Sequence, residues 1–290
     1  MIAVGLSGGA DSVALLHYLK NQGNDLMAIH VNHNISPNAD FWENFCKEYC
    51  EKLNVPFFSH SIKLPSSGNL EENARIGRYE IFKNCDADTI AVAHHAMDQI
   101  ETVFMKLFRG CGVRGSSGMW IEDVFGTKKL IRPFLNWTKD DILNYCEENN
   151  LRFINDESNL NNDYDRNFLR NSILPKIFDR IPFAFKGMMK MISNAQDTHK
   201  LVDDLALIDI ENCTIETNIL DWRKVIELPE YRVKNLFHYI LYSKHENVSG
   251  EYLCIFVKQI MSCKIDSNTE YVGKNIQIKK KGKKIFIKNK

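Results

Sequence analysis

The chain has 290 residues with 37 Lys and Arg against 37 Asp and Glu, and it is 44% hydrophobic and 26% charged, which excludes a disordered polymer. No run approaches the roughly 18 uninterrupted apolar residues of a membrane span, and no basic segment precedes an apolar core at the start. We therefore expect a cytoplasmic protein that does not bind membranes. The zero net charge hides an asymmetry: residues 1–210 carry 22 basic and 28 acidic side chains, and residues 211–290 carry 15 and 9. The positive share crowds at Lys279, Lys280, Lys281, Lys283 and Lys284, which reads either as a polyanion-binding lobe or as a solvated lysine-rich hairpin tip.

In chain order, an apolar run Met1–Leu6 stops at Ser7-Gly8-Gly9-Ala10-Asp11-Ser12, after which apolar residues recur at helical spacing. That is a strand, a tight turn and a helix. Paired glycines let backbone N–H groups converge at the positive end of the helix, a site for phosphate. The turn lacks the Lys of the Walker loop and is not G-x-G-x-x-G. A strand at 25–33 ending in His33 follows, then Ser36-Pro37 as a helix start, a helix at 37–53 with Phe41, Phe45, Tyr49 and Leu53 on one face, and a strand at 55–64. A polar turn at 65–68 leads to a helix at 69–85. The strand at 89–93 ends at His94-His95, before a helix carrying Asp98, Gln99 and Glu101. Cys111–Met119 reads as a mobile glycine-rich loop, 129–135 as the last strand, and Thr138 as the cap of a helix at 139–149. Asn155–Asn159 is turn-forming, and Arg166–Asn171 opens a helix ended by Pro175.

This alternation predicts an α/β fold with a parallel, doubly wound sheet, whose ligands bind beyond the carboxyl ends of the strands. We divide the chain into a catalytic domain at 1–180, a helical linker at 181–210 and a small basic α+β domain at 211–290. That last domain has helices at 229–243 and 249–261 and a closing hairpin turning at Lys281-Gly282. Eight cysteines without a C-x-x-C pair read as buried reduced thiols, and no His/Cys set supports zinc.

Ser7–Ser12 resembles the pyrophosphate loop (PP-loop) of the N-type ATP pyrophosphatases. Together with Glu72-Asn73-Ala74-Arg75, His94-His95-x-x-Asp98-Gln99-x-Glu101-Thr102, Arg109-Gly110-Cys111-Gly112, Arg132-Pro133-Phe134-Leu135 and Arg166-Asn167-Phe168-Leu169-Arg170, it resembles the tRNA(Ile)-lysidine synthetases. The resemblance implies a Rossmann-like PP-loop fold and a ligase that uses ATP and Mg²⁺. Such an enzyme adenylates carbon 2 of the wobble cytidine in CAU-anticodon tRNA(Ile) and then joins free L-lysine to it, releasing AMP and pyrophosphate.

Under this resemblance Ser7, Gly8, Gly9, Ala10, Asp11, Ser12 and His33 bind ATP, and Asp11 and Asp98 lie by the metal. Asp98 and Glu101, i and i+3 on one helix face, bind lysine. Asp11, Asp98 and Arg109 serve catalysis, while Arg114, Arg166, Arg170, Lys279, Lys280 and Lys281 bind tRNA. For Arg166 and Arg170 a structural ion pair is the competing reading, and a homodimer is a further option. The alternatives are a tRNA 2-thiolation enzyme, which would need cysteines on the crevice, and a catalytically silent tRNA- or nucleotide-binding module.

Overall fold

The computed structural model describes residues 1–33, 36–63, 70–155, 164–244, 246 and 248–290. The expected turns at 65–68 and at 156–159 lie outside these residues, as do Asn34 and Ile35. The chain divides into two compact units, Met1–Asn194 and Ala195–Lys290.

In the first unit the order is β1 (Ile2–Gly5), α1 (Ala10–Asn21), β2 (Leu26–Asn32), α2 (Ala39–Leu53), β3 (Phe57–Ser61), α3 (Leu70–Asn84), β4 (Thr89–Ala91), α4 (Ala96–Phe108), α5 (Val113–Ser116), β5 (Glu122–Phe125), β6 (Lys128–Ile131), α6 (Lys139–Glu148), α7 (Asp165–Phe168) and α8 (Leu174–Arg180). The strands form one sheet in the order β3-β2-β1-β4-β6-β5. Its first five members are parallel, and β5 pairs antiparallel with β6 at the edge. The chain leaves β1 in one direction through β2 and β3 and crosses to the other side at β4. The β1/β4 boundary is thus the switch point where such sheets open a crevice.

Both sheet faces are covered. Val4, Leu15, Leu16, Ile142 and Phe134 belong to one core, and Ala3, Ile29, Phe82 and Ile90 to the other. Alternate residues of β1 and β2 feed opposite cores, as the two-residue period of a strand requires.

Several local expectations are corrected. On α2, Phe45, Tyr49 and Leu53 pack against the first core beside buried Cys46 and Cys50, whereas Phe41 is exposed. That helix begins at Ala39, because Ser36 Oγ accepts from the Asn38 N–H and holds a turn ahead of it. The final parallel strand stops at Ile131 because Pro133 has no N–H for a ladder. Its hairpin partner β5 was not anticipated. Pro175 does not end a helix. A π-helical stretch at Leu169–Ile173 joins α7 to α8, and Pro175 occupies the first turn of α8, where a missing N–H costs nothing.

The glycine-rich segment Cys111–Met119 contains the short helix α5 and is hydrogen-bonded to α4 at its far end. Gln99 Nε2 donates to Met119 O at 2.7 Å, the Met119 N–H donates back to Gln99 Oε1 at 2.6 Å, and Lys106 Nζ donates to Gly118 O at 3.1 Å. A Cβ on Gly118 would meet Gln99 Oε1 at 2.5 Å, so this close approach requires glycine.

Helix α9 (Ala184–Cys213) runs across the boundary between the units. Beyond it come β7 (Thr214–Glu216), β8 (Ile219–Asp221), α10 (Trp222–Glu227), α11 (Glu230–Ser243), α12 (Gly250–Ser262), β9 (Thr269–Val272), β10 (Ile276–Lys281) and β11 (Lys284–Asn289). The anticipated hairpin β10–β11 is the centre of a five-stranded antiparallel sheet, β7-β8-β11-β10-β9. Its inner face packs Ile276, Ile278 and Ile285 with Phe237 and Phe256 of the helices. Among the described residues no helix is long and apolar enough to cross a membrane.

Candidate active site at the end of the parallel sheet

The turn after β1 is built for an anion. Gly8 has φ of 90°, and a Cβ there would press on Ile154 Cδ1 at 3.1 Å and Cys46 Sγ at 3.3 Å, so both backbone and space demand glycine. Gly9 differs. Its φ is −71°, and a Cβ would make only ordinary contacts at 3.7 Å or more, so the fold alone does not explain it. Ser12 Oγ accepts from the Ser7 N–H at 3.1 Å and donates to Gly9 O at 3.0 Å, which pins the turn. No side chain caps α1 at Gly9. The N–H groups that a helix leaves unpaired at its start therefore face the crevice with their positive end outward.

Asp11, in the first turn of α1, pairs with Lys139 Nζ through Oδ1 at 2.6 Å, and both side chains are partly exposed. His33 directly follows β2, and His94 lies three residues beyond β4. Among the described residues, neither His33 Nδ1 nor His94 Nδ1 has a hydrogen-bond partner, although both atoms are buried. Burial, reinforced by the charge of Arg78, pushes each imidazole down to about 4, and Arg132 and Arg166 add to this at His94 against the opposing pull of Asp98. Both rings are neutral at physiological pH.

Asp98 caps α4 through a reciprocal box. The His95 N–H donates to Asp98 Oδ2 at 2.9 Å, while the Met97 N–H donates to His95 Nδ1 at 3.2 Å. The remaining oxygens of Asp98 and Glu101 are taken by two arginines. Arg166 Nε donates to Glu101 Oε2 at 2.7 Å and its Nη2 to Asp98 Oδ1 at 3.2 Å. Arg170 Nε donates to Glu101 Oε1 at 2.5 Å, and its Nη2 reaches Asp98 Oδ1 at 2.7 Å and Glu101 Oε2 at 2.9 Å.

Burial works to raise the Asp98 carboxyl. The charges of His95 and of His94, which is protonated in the acid range where Asp98 itself titrates, together with Arg166 and Arg170, outweigh it and hold Asp98 down to about 2. Arg170 is likewise opposed by burial, yet it is raised by its Glu101 hydrogen bonds and by the charges of Glu101, Asp98 and Asp11. Asp11 and Asp98 stand in the first turns of the helices that follow the paired parallel strands β1 and β4, at the carboxyl end of the sheet.

The structure thus brings together Asp98, Glu101, Arg166 and Arg170, while Asp11 pairs separately with Lys139. Two anticipated roles need correction. Glu101 is 0% exposed and doubly saturated by guanidinium groups, so it meets an incoming amine only through Arg166 and Arg170. Asp98, with both oxygens engaged, is a poor metal donor in this arrangement. Arg109 is the exposed C-cap of α4, about 16 Å along the helix from Asp98 at 1.5 Å per residue, and does not join the network. Arg114 sits in α5.

Lys280 is also corrected. It is 0% exposed, with its Nζ donating to Lys264 O, Ile265 O and Ser267 O and lying 4.6 Å from the Trp222 ring centroid, so it presents no charge to RNA. The outward residues of the same sheet are Lys279 and Lys281, which line a concavity of 280 Å³ with Gln277, Phe286 and Lys288. The alternation Ile276, Ile278, Lys280 already marked Lys280 as inward. Lys139 was missed because its partner Asp11 lies 128 residues away in sequence.

All eight cysteines are free. Cys46, packed behind Gly8, is buried, and burial chiefly pushes its thiol up to about 12, so it is inert as a nucleophile.

Known proteins resemble this chain in sequence and in fold. A family profile described as a PP-loop domain matches residues 1–177. A tRNA(Ile)-lysidine synthase of Nitrosomonas europaea is 39% identical over 83% of this chain and 54% of its own length. Those of Buchnera aphidicola from Schizaphis graminum and Legionella pneumophila strain Paris are 33% and 30% identical over 99% of this chain, and 67% and 68% of their lengths. The chain belongs to the tRNA(Ile)-lysidine synthase family. It spans between about half and two thirds of the length of these curated relatives. Among solved structures, a U34-tRNA thiolase from Methanococcus maripaludis with its [4Fe-4S] cluster matches 67% of this chain and 70% of its own, with a TM-score of 0.55 and 18% identity, a likeness of fold.

Proposed function

We propose that this protein adenylates carbon 2 of the wobble cytidine in CAU-anticodon tRNA(Ile) with ATP and then joins the ε-amine of free lysine to that carbon, producing lysidine, AMP and pyrophosphate. One observation carries the reading. An open, uncapped helix start with Asp11 in its first turn follows β1, and the neighbouring parallel strand β4 leads to the helix that carries Asp98 and Glu101, held by Arg170.

The chemistry asks for this arrangement. A pyrimidine carbonyl oxygen leaves poorly, and transfer of the ATP α-phosphorus to it makes AMP the leaving group. The N–H groups at the start of α1, with the Ser7 hydroxyl, hold the phosphates where charge builds, while Ser12 keeps the turn in shape for them. His33 and His94, neutral with an unused Nδ1, are hydrogen-bond partners for nucleotide or base rather than cations. The guanidinium edges of Arg166 and Arg170 suit a carboxylate or phosphate. Through them Asp98 and Glu101 position the lysine substrate, and the amine attacks only as the neutral form.

A divalent cation fits Asp11. Its carboxylate is partly exposed, has one exchangeable partner, and offers a hard oxygen alongside nucleotide phosphates. Among the described residues no group of three or more His, Cys, Asp or Glu side chains could hold a metal unaided. Bound there, the cation would neutralise the departing pyrophosphate.

RNA contact by the second unit is assigned to Lys279 and Lys281 around Phe286, lysines for phosphates and a ring for an unpaired base. The test is incorporation of labelled lysine into purified CAU-anticodon tRNA(Ile) with ATP and Mg²⁺. Label is expected in that tRNA and not in the methionine tRNA sharing the anticodon. Incorporation that survives Asp11→Ala overturns the site.

A further inference from the structure

We propose that Lys139 is a polyphosphate-binding residue that trades its ion pair with Asp11 for the β- and γ-phosphates of the nucleotide. The inference rests on the ATP reading above and adds to it a residue from a different element, 128 positions away in sequence.

Lys139 is the first residue of α6, whose start is closed by a reciprocal cap in which Thr138 Oγ1 accepts from the Asp141 N–H at 3.1 Å and the Thr138 N–H donates to Asp141 Oδ2 at 2.7 Å. A helix start carries partial positive charge, so a lysine there is electrostatically unfavourable while Asp140 and Asp141 beside it are favourable. The helix itself therefore gives no reason for a cation at 139. Nor does stability. The Lys139–Asp11 pair has side chains 45% and 31% exposed, and ion pairs so placed contribute little.

Its position, in contrast, is held firmly. Ile142 and Cys146 are buried in the core shared with α1, Tyr145 Oη lies 3.0 Å from His17 Nδ1, and Cys146 Sγ lies 3.8 Å from Ala10 O. This packing aims an ammonium at the first turn of α1, beside uncapped N–H groups and a glycine whose missing Cβ the fold does not require.

An ammonium has three donors on a flexible stem, and Asp11 Oδ1 uses one of them at 2.6 Å. Arrival of a polyphosphate offers Lys139 a doubly charged partner, and it releases the Asp11 carboxylate toward the cation that accompanies the nucleotide. Before nucleotide arrives, Lys139 keeps Asp11 from standing as an uncompensated negative charge at the mouth of an anion site.

The test is calorimetric titration of the full chain in Mg²⁺ with ATP, pyrophosphate and AMP separately, comparing wild type, Lys139→Met and Lys139→Arg. Removal of one charge-assisted hydrogen bond predicts ATP and pyrophosphate weakened about tenfold or more in Lys139→Met, with AMP changed by less than about twofold and most of the affinity recovered in Lys139→Arg. Thermal unfolding midpoints are expected to match. Unchanged ATP binding in Lys139→Met overturns the proposal, as does parallel weakening of ATP and AMP, which marks a purely structural role. A wild-type chain that binds no ATP brings down the ATP reading together with this one, so the two failures are distinguishable.

Discussion

Two acid–base clusters stand at the same end of the sheet and solve opposite problems. Asp11 and Lys139 make one ion pair at the edge of water, and either can leave the other cheaply. Asp98, Glu101, Arg166 and Arg170 form a closed set of four charges in which Glu101 has no exposure at all. Burial makes the difference. Charges taken out of water need full pairing or the fold is heavily destabilised, whereas exposed pairs are nearly neutral to stability and free to exchange with ligand. One cluster is a fixed frame through which the proposed lysine contacts act, and the other exchanges its partners with ligand.

The sharpest way to break that contrast is to remove one scaffold cation. Arg170→Met leaves Glu101 buried with half its compensation, and a destabilisation of about 3–5 kcal/mol is expected, read as the midpoint shift in denaturant. Asp11→Asn, by comparison, is expected to change stability by less than about 1 kcal/mol while abolishing tight ATP binding. Equal destabilisation by the two would erase the distinction.

Acid probes the neighbourhood of both clusters. His33 and His94 have folded values near 4, below the ordinary 6.5, so the unfolded chain binds more protons between those limits. Their contribution is fully present above pH 6.5 and is lost as pH falls toward 4. Each imidazole then steepens the fall of the folding constant by up to about tenfold per pH unit. His94→Gln is expected to flatten that slope, seen in chemical unfolding at pH 7, 6 and 5.

The smallest effect belongs to the second unit. Lys279→Ala with Lys281→Ala is expected to leave stability within about 0.5 kcal/mol and to lower the salt slope of tRNA binding by roughly 0.7–0.9 for each phosphate no longer neutralised.

Much of this was legible in the sequence. The glycine turn could be read because strand, glycines and helix follow one another directly, and glycine at position 8 is forced by local backbone geometry. Asp98 and Glu101 could be read onto one helix face by spacing alone. Their partners could not, because Arg166 and Arg170 arrive from 65 to 72 residues away. They do so on a segment that changes from α to π winding at Leu169, for which the sequence carries no marker. β5 escaped notice because Glu122-Asp123-Val124-Phe125 turns only Asp123 and Phe125 inward, with Phe125 its one apolar contact to the core, and the contact of Gln99 with Met119 spans 20 residues. For Lys280 the cue was present in the two-residue alternation, but the neighbouring lysines made the whole run look solvated.

The placement of Lys280 has a spectroscopic consequence. Of the four tryptophans in the chain, Trp222 is the one within residues 211–290, and an ammonium sits over its ring. Its indole emission colour and quenching yield follow that cation, so fluorescence from a chain whose other three tryptophans are replaced by phenylalanine would report opening of the C-terminal sheet without any attached dye.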